Sequence, residues 1–169
     1  MADGRSLEER VRELEDRAAI TELVHAYNLA TDDRDWEAFA ELFAPDARLG
    51  PYRGRDEVVR VLRELREEHG RTRHVAHGVV LEFTGPDEAS GTVTASSEID
   101  MQGTAHAVAV RYLDRYARVD GRWRFVRRKA LFTYVIPVAD LGESMTSPDP
   151  VRWPGRERSA PDLSGKESR

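Results

Sequence analysis

Cysteine is absent from the 169 residues, which excludes disulfides, thiolate metal sites, thiol nucleophiles and thiol redox chemistry. Lysine is almost absent: of 26 basic residues only Lys129 and Lys166 are lysines, so Schiff-base chemistry has just two hosts. No apolar run approaches the roughly 20 residues of a membrane helix. Met1 to Arg10 is polar and lacks the apolar stretch of a secretory signal. Phosphate-cradling glycine loops, Gly-x-Ser-x-Gly elbows and His-Glu-x-x-His helices are all missing. The net charge is −5, and the arginines are not interleaved with stacking aromatics, which argues against a nucleic-acid partner. A cytoplasmic protein without nucleic-acid or membrane partners is therefore expected. The chemistry that remains is that of carboxylate, imidazole, phenol and guanidinium, with five histidines as groups that titrate near neutrality.

Helical spacing opens the chain. Ser6 and Glu9 have the form of a capping box, and apolar residues recur from Leu7 through Ile20, Leu23, Val24 and Tyr27 before the pattern fades at Thr31-Asp32-Asp33. Asp16 is an alternative cap, which would leave a looser lead segment. A second helix is predicted over Trp36 to Phe43, capped by Asp35 and stopped by Ala44-Pro45. Ala47 to Leu49 reads as a short strand. Asp56 is expected to cap a third helix, with Val58, Val59, Val61, Leu62 and Leu65 inward and His69-Gly70 at its end. From Arg71 the period is two, giving strands at about 72–84, 88–101, 104–119 and 122–135. Asp120-Gly121 between the last two is a two-residue hairpin turn. Helices followed by a meander predict an α+β fold, with N-terminal helices packed on one face of a strongly curved, mainly antiparallel sheet. Residues 1–137 make the single domain. Residues 138–169 form a Pro-rich extension, docked through Trp153 and disordered from Gly155.

Pairing 119 with 122 places Tyr112, Asp114 and Tyr116 opposite Lys129, Arg127 and Phe125, with Trp123 beyond, and this aromatic face is expected to be buried. His106 shares its parity. The other face carries Arg111 and Arg115, and the arginines at Arg122, Arg124 and Arg128 are expected near it. His74 and His77 lie three apart in a strand and point to opposite faces unless a bulge intervenes, so no metal site is expected. Taken singly, these residue types are equally those of a core histidine, a helix cap and a buried tyrosine.

Their order along the chain adds more. The stretch Ala18-Ala-Ile20-Thr-Glu-Leu23-Val-His-Ala-Tyr27-Asn-Leu-Ala-Thr-Asp32-Asp-Arg-Asp35-Trp36 resembles the opening helices of the SnoaL-like branch of the NTF2-like superfamily. Matching pieces follow at Leu42-Phe43-Ala44-Pro45-Asp46-Ala47, Thr72-Arg73-His74, Tyr112-Leu-Asp114-Arg-Tyr116 and Asp120-Gly121-Arg-Trp123-Arg-Phe125-Val-Arg-Arg128. The resemblance spans residues 14 to 137 and implies an NTF2-like cone. It is closest to the scytalone-dehydratase and bile-acid-dehydratase type. That likeness implies a cofactor-free lyase or isomerase acting through an enolate on a hydrophobic, polyketide- or steroid-like ketone. Tyr27, Asp32 and His74 correspond to the acid–base set, and His106 to a second strand histidine. Tyr112, Tyr116, Trp123 and Arg127 would line the substrate. A late arginine of the family corresponds to Arg127 by strand parity and to Arg128 by spacing after the tryptophan. The superfamily also implies a homodimer formed through the outer sheet face. Polyketide cyclisation is an alternative on the same scaffold. So is a non-catalytic assembly module like the small subunit of ring-hydroxylating dioxygenases. An epoxide-hydrolase-like set of Asp100, Asp114 and Arg127 is a third reading.

Overall fold

The structure, a computed structural model, describes residues 4–163. Helix α1 runs unbroken over Leu7–Asp33. Ser6 caps it: its hydroxyl accepts from the Glu9 N–H at 3.1 Å, and the Glu9 carboxylate accepts from the Ser6 N–H at 2.6 Å. The alternative start at Asp16 is thereby overturned. That carboxylate is used elsewhere, accepting from Trp123 Nε1 at 3.0 Å and from Arg118. Arg34, at φ 56°, turns the chain out of α1. Asp35 then caps α2 (Trp36–Glu41) by accepting from the Ala38 N–H. Helix α2 ends two residues earlier than its pattern suggests, because Phe43 already belongs to β1 (Phe43–Leu49). A short β2 (Tyr52–Arg53) follows, then α3 (Arg55–Glu67), which starts directly after Gly54 at φ 90°. Asp56 lies in its first turn and does not cap it.

Four long strands complete the domain: β3 (His69–Gly85), β4 (Glu88–Met101), β5 (Thr104–Val119) and β6 (Arg122–Pro137). The sheet order is β2-β1-β6-β5-β4-β3, antiparallel throughout except for the parallel pair β1–β6. The α+β class expected from the sequence is the one found. Asp120 (φ 51°) and Gly121 (φ 76°) supply the two left-handed residues of the tight β5–β6 hairpin.

The register of that hairpin differs from the one a continuous ladder predicts. Val119 pairs with Arg122 and Tyr116 with Phe125, as expected, but a bulge follows and Arg115 then pairs with Arg127 and Asp114 with Arg128. One extra residue on β6 flips the facing of the residues beyond it, until a second bulge between Phe132 and Tyr134 flips it back. Arg128 is thus carried inward, 1% exposed, whereas Arg127 is exposed. Of the arginines expected on the outer face, Arg111, Arg115 and Arg122 are exposed there, but Arg124 is buried against Glu41 of α2.

The main core fills one end of the sheet. Ile20, Leu23, Val24 and Tyr27 of α1 pack with Phe39, Phe43, Val93, Tyr116, Trp123 and Phe125. Phe39, Phe43 and Phe125 are fully buried, each contributing about 1.5–3 kcal/mol by leaving water. A second cluster of Ile99, Met101, Val108, Val135 and Val151 lies at the other end. The C-terminal segment runs through a single-turn 3₁₀ helix, Val138–Asp140, and α4 (Leu141–Ser144), then returns to β6. Val151 bridges Val135, Trp153 stacks edge-on against Phe132, and the Asp162 N–H donates to the Phe132 carbonyl. The chain therefore packs on β6 well past Gly155. Lys166 and the last part of the expected disordered tail lie outside the described residues. No described helix is long and apolar enough to cross a membrane.

Candidate active site

Between the two apolar clusters lies a cavity of about 580 Å³, walled by Tyr27, residues of β1, β2 and α3, His69, His74, and the inward side chains of β4, β5 and β6. Its lining is mostly apolar, as a site for a hydrophobic ligand requires. Leu62, Leu65, Ile99, Val108, Val110 and Phe132 supply much of that surface, and Trp153 of the C-terminal segment covers part of it. Met145 stays exposed and does not line it.

The polar centre of the cavity is set by the end of α1 and the start of β3. Asp32 sits in the last turn of α1, and Arg34 donates to the His69 and Gly70 carbonyls, tying that turn to β3. Asp32 then accepts three hydrogen bonds: from Thr72 Oγ1 at 2.8 Å, from the His74 backbone N–H at 2.8 Å and from His74 Nδ1 at 2.6 Å. Burial raises the Asp32 pKa, but these three donors outweigh it and hold the carboxyl below its ordinary value. With the Nδ1–H committed to Asp32, the lone pair of His74 lies on Nε2. The His74 side chain is 6% exposed and lines the cavity.

Two phenols complete the wall. Tyr27 and Tyr112 pack edge-to-face, 6.2 Å between centroids, and neither hydroxyl has a hydrogen-bond partner among the described residues. Burial pushes the Tyr112 pKa up, so it is a neutral donor. Behind them the Arg128 guanidinium lies over the rings of Tyr27, Tyr112 and Phe125 at 4.2–4.3 Å. It donates to Asp114 through Nε at 3.0 Å and NH2 at 2.7 Å. Arg128 therefore braces the tyrosines from behind.

Of the residues expected at the site, Tyr27, Asp32, His74 and Tyr112 are brought together, with Asp32 reaching the cavity through His74. Arg127 also lines the cavity, and three others do not. His106 sits at the start of β5 between Ile99 and Pro137, where its Nδ1 donates to the Thr104 carbonyl at 2.8 Å. It does not line the cavity, which begins two residues further on at Val108. Tyr116 is consumed by the core, its hydroxyl donating to Asp114 at 2.8 Å. Trp123 is likewise a core residue, held by Asp16 and packed against Phe83. Arg127 is exposed, since the bulge turns Arg128 inward in its place, yet it is still among the residues that line the cavity. The same bulge removes the epoxide-hydrolase-like set, since Asp114 pairs with Arg128 and Asp100 serves the turn by accepting from the Gly103 N–H. A bulge at His77 does interrupt β3, but His77 is exposed on Ser96 and away from His74. No group of three or more metal-ligating side chains exists among the described residues.

Arg66 and His69 are site residues that the sequence reading missed. Val58, Leu62 and Arg66 are the buried positions of α3, four apart, so an arginine on that stripe was the available signal. Burial, together with the charge of Arg66, pushes the His69 pKa down to about 4. The unfolded chain binds a proton at this residue below about pH 6.5 that the folded chain refuses, so its contribution to stability is present above 6.5 and lost as pH falls towards 4. The Asp32 contribution is lost only at still lower pH, because its folded value lies below the ordinary one. Thermal melts across this range should show a falling midpoint between pH 6.5 and 4. The fall should be flatter in His69→Gln, and parallel curves for the two proteins would contradict it.

The SnoaL-like domain model matches residues 12–129. Among solved structures, LinA is 25% identical, with a TM-score of 0.73 over 77% of this chain and 94% of LinA. A type 2 hexachlorocyclohexane dehydrochlorinase (LinA) is 21% identical, with a TM-score of 0.72 over 87% of this chain and 99% of its own. A protein provisionally named a scytalone dehydratase, from Novosphingobium aromaticivorans, is 20% identical with a TM-score of 0.71, covering 88% and 99%. No curated protein sequence matches the chain. Both named activities, dehydrochlorination and dehydration, are eliminations. With seven-tenths of its length matched by one family model and its fold shared with these structures, the chain belongs to the SnoaL-like domain family, on the NTF2-like fold.

Proposed function

We propose that this protein is a cofactor-independent lyase of the dehydratase type, acting on a hydrophobic ketone. The observation that carries the reading is the Asp32–His74 pair at 2.6 Å, which leaves Nε2 as the basic atom of a side chain lining an apolar cavity. Nε2 takes the proton from the carbon next to the carbonyl, and the C–H electrons move into an enolate. The Tyr27 hydroxyl donates to the developing oxyanion, with Tyr112 as a second neutral donor in the same wall. The imidazolium, stabilised by Asp32, then returns its proton to the β-hydroxyl as the C–O bond breaks, and water leaves. The net change is loss of one water, with every group restored. The apolar lining strengthens each electrostatic step.

Isomerisation and aldol cyclisation share the first half of this path, and an assembly module needs none of it. Hydrogen–deuterium exchange separates these readings. A panel of cyclic ketones and β-hydroxyketones in D₂O, followed by NMR and mass spectrometry, should show enzyme-dependent exchange next to the carbonyl and, for the hydroxyketones, loss of water. Asp32→Asn should slow exchange about 100-fold or more, because an amide that donates to Nδ1 moves the proton to Nε2 and removes the base. Exchange at the wild-type rate in that variant would overturn the assignment. An absence of exchange across the panel in the wild type would favour the assembly reading.

A further inference from the structure

Arg66 is 8% exposed, lines the cavity, and has no acidic side chain within salt-bridge distance among the described residues. Its polar contacts are instead with two imidazoles: NH1 lies 3.0 Å from His69 Nδ1 and NH2 lies 3.3 Å from His74 Nε2. Its Nε, also buried, has no partner among the described residues, as holds for at least one guanidinium nitrogen of Arg124, Arg128 and Arg152, so what sets Arg66 apart is the missing anion. Every other buried arginine among the described residues has a carboxylate beside it: Asp114 for Arg128, Glu41 for Arg124 and, in an ion pair at 3.6 Å, Asp140 for Arg152. A buried guanidinium without an anion beside it is costly, and neutral imidazole nitrogens are weak substitutes for one. Asp32 does not fill the role directly, since its oxygens are occupied by Thr72 and His74 and the imidazole stands between the two charges.

We propose that Arg66 is an anion-recognition residue and that the ligand of this cavity is an organic carboxylate, its apolar body against Leu62, Leu65, Val110 and Phe132 and its carboxylate on the guanidinium. Charge-assisted, bidentate pairing with a carboxylate is the geometry that guanidinium favours. Its position also couples binding to chemistry. The NH2 group that meets the carboxylate is the one now resting on His74 Nε2 at a long 3.3 Å, so the incoming anion draws it away and uncovers the lone pair. His69, kept neutral by burial, remains the acceptor for NH1. This coupling rests on the role proposed for His74. The recognition itself does not.

Isothermal titration of 2-naphthoate and its neutral isostere 2-naphthamide tests it. Wild type should bind the carboxylate about tenfold or more tightly than the amide, the range expected for a hydrogen bond to a charged partner. Arg66→Met should abolish the preference while leaving naphthamide affinity within about twofold, and Arg66→Lys should keep part of it. A merely structural arginine would alter both affinities alike. Equal binding of the two ligands by wild type, no naphthoate binding below about 1 mM, or an undiminished preference in Arg66→Met would overturn the proposal. If Arg66→Met does not fold, Arg66→Lys and the wild-type comparison still decide. His74→Gln separates the two readings. A retained carboxylate preference with exchange activity intact supports this proposal and sinks the catalytic one. Lost activity without any preference for the carboxylate in wild type does the reverse.

Discussion

Replacing His74 with glutamine should lower kcat/KM by about 10²–10⁴-fold on any ketone that the exchange panel identifies, the usual worth of a positioned general base. The loss should fall on kcat, because the imidazole acts on a proton that moves only in the transition state. The fold should survive. One of the three hydrogen bonds that Asp32 accepts comes from the His74 backbone and a second from Thr72, and neither depends on the ring. The bond lost, Nδ1 to Asp32 at 2.6 Å, is charge-assisted and costs about 1.5–3 kcal/mol at most, which glutamine recovers in part if its amide reaches the carboxylate. A circular-dichroism melt alongside the rate measurement separates the two effects. Wild-type kcat in a folded His74→Gln protein would remove this residue from the mechanism.

Asp114→Ala should be the most destabilising single change in the sheet. Arg128 and Asp114 have side chains 1% and 0% exposed, and among the described residues the carboxylate is the only anion touching that guanidinium. Burial disfavours the Arg128 charge, but Asp114 more than offsets it and raises the arginine pKa. Truncating the carboxylate leaves a buried, uncompensated cation, a loss of about 3–5 kcal/mol. For a domain of this length that corresponds to a fall of roughly 6–20 °C in Tm. The double variant Asp114→Leu with Arg128→Met should recover much of that stability, because it removes both charges. It also takes away the support beneath Tyr27 and Tyr112, so activity should stay low while the fold returns. A loss below about 1 kcal/mol in Asp114→Ala would show that the pair contributes little.

The elements were legible because each is a local pattern. The capping box at Ser6, the Asp120-Gly121 turn and the strands Glu88–Met101 and Thr104–Val119 follow from residue type and spacing alone. Misreadings cluster where one extra residue or one distant partner intervenes. Phe43 looked helical until its place beside Phe125 made it strand. Asp16 looked like a cap, but its partners are about a hundred residues away. His106 and Tyr116 have inward parity, yet parity states only the face. Where the cavity ends and the core begins depends on how far α1 and α3 extend across the sheet.

By itself the sequence determined an α+β chain with no thiols and few lysines. Its chemistry had to rest on imidazole, carboxylate, phenol and guanidinium, with Tyr27, Asp32 and His74 as the ordered candidates. Tertiary structure alone decided which arginines matter. The bulge on β6 turned Arg128 inward and Arg127 outward, since a strand has a period of two and a single inserted residue reverses the facing of the stretch that follows it. The docking of α3 placed Arg66 between two histidines, and the imidazole of His74 is held there by Asp32, 42 residues earlier in the chain, which no local pattern encodes.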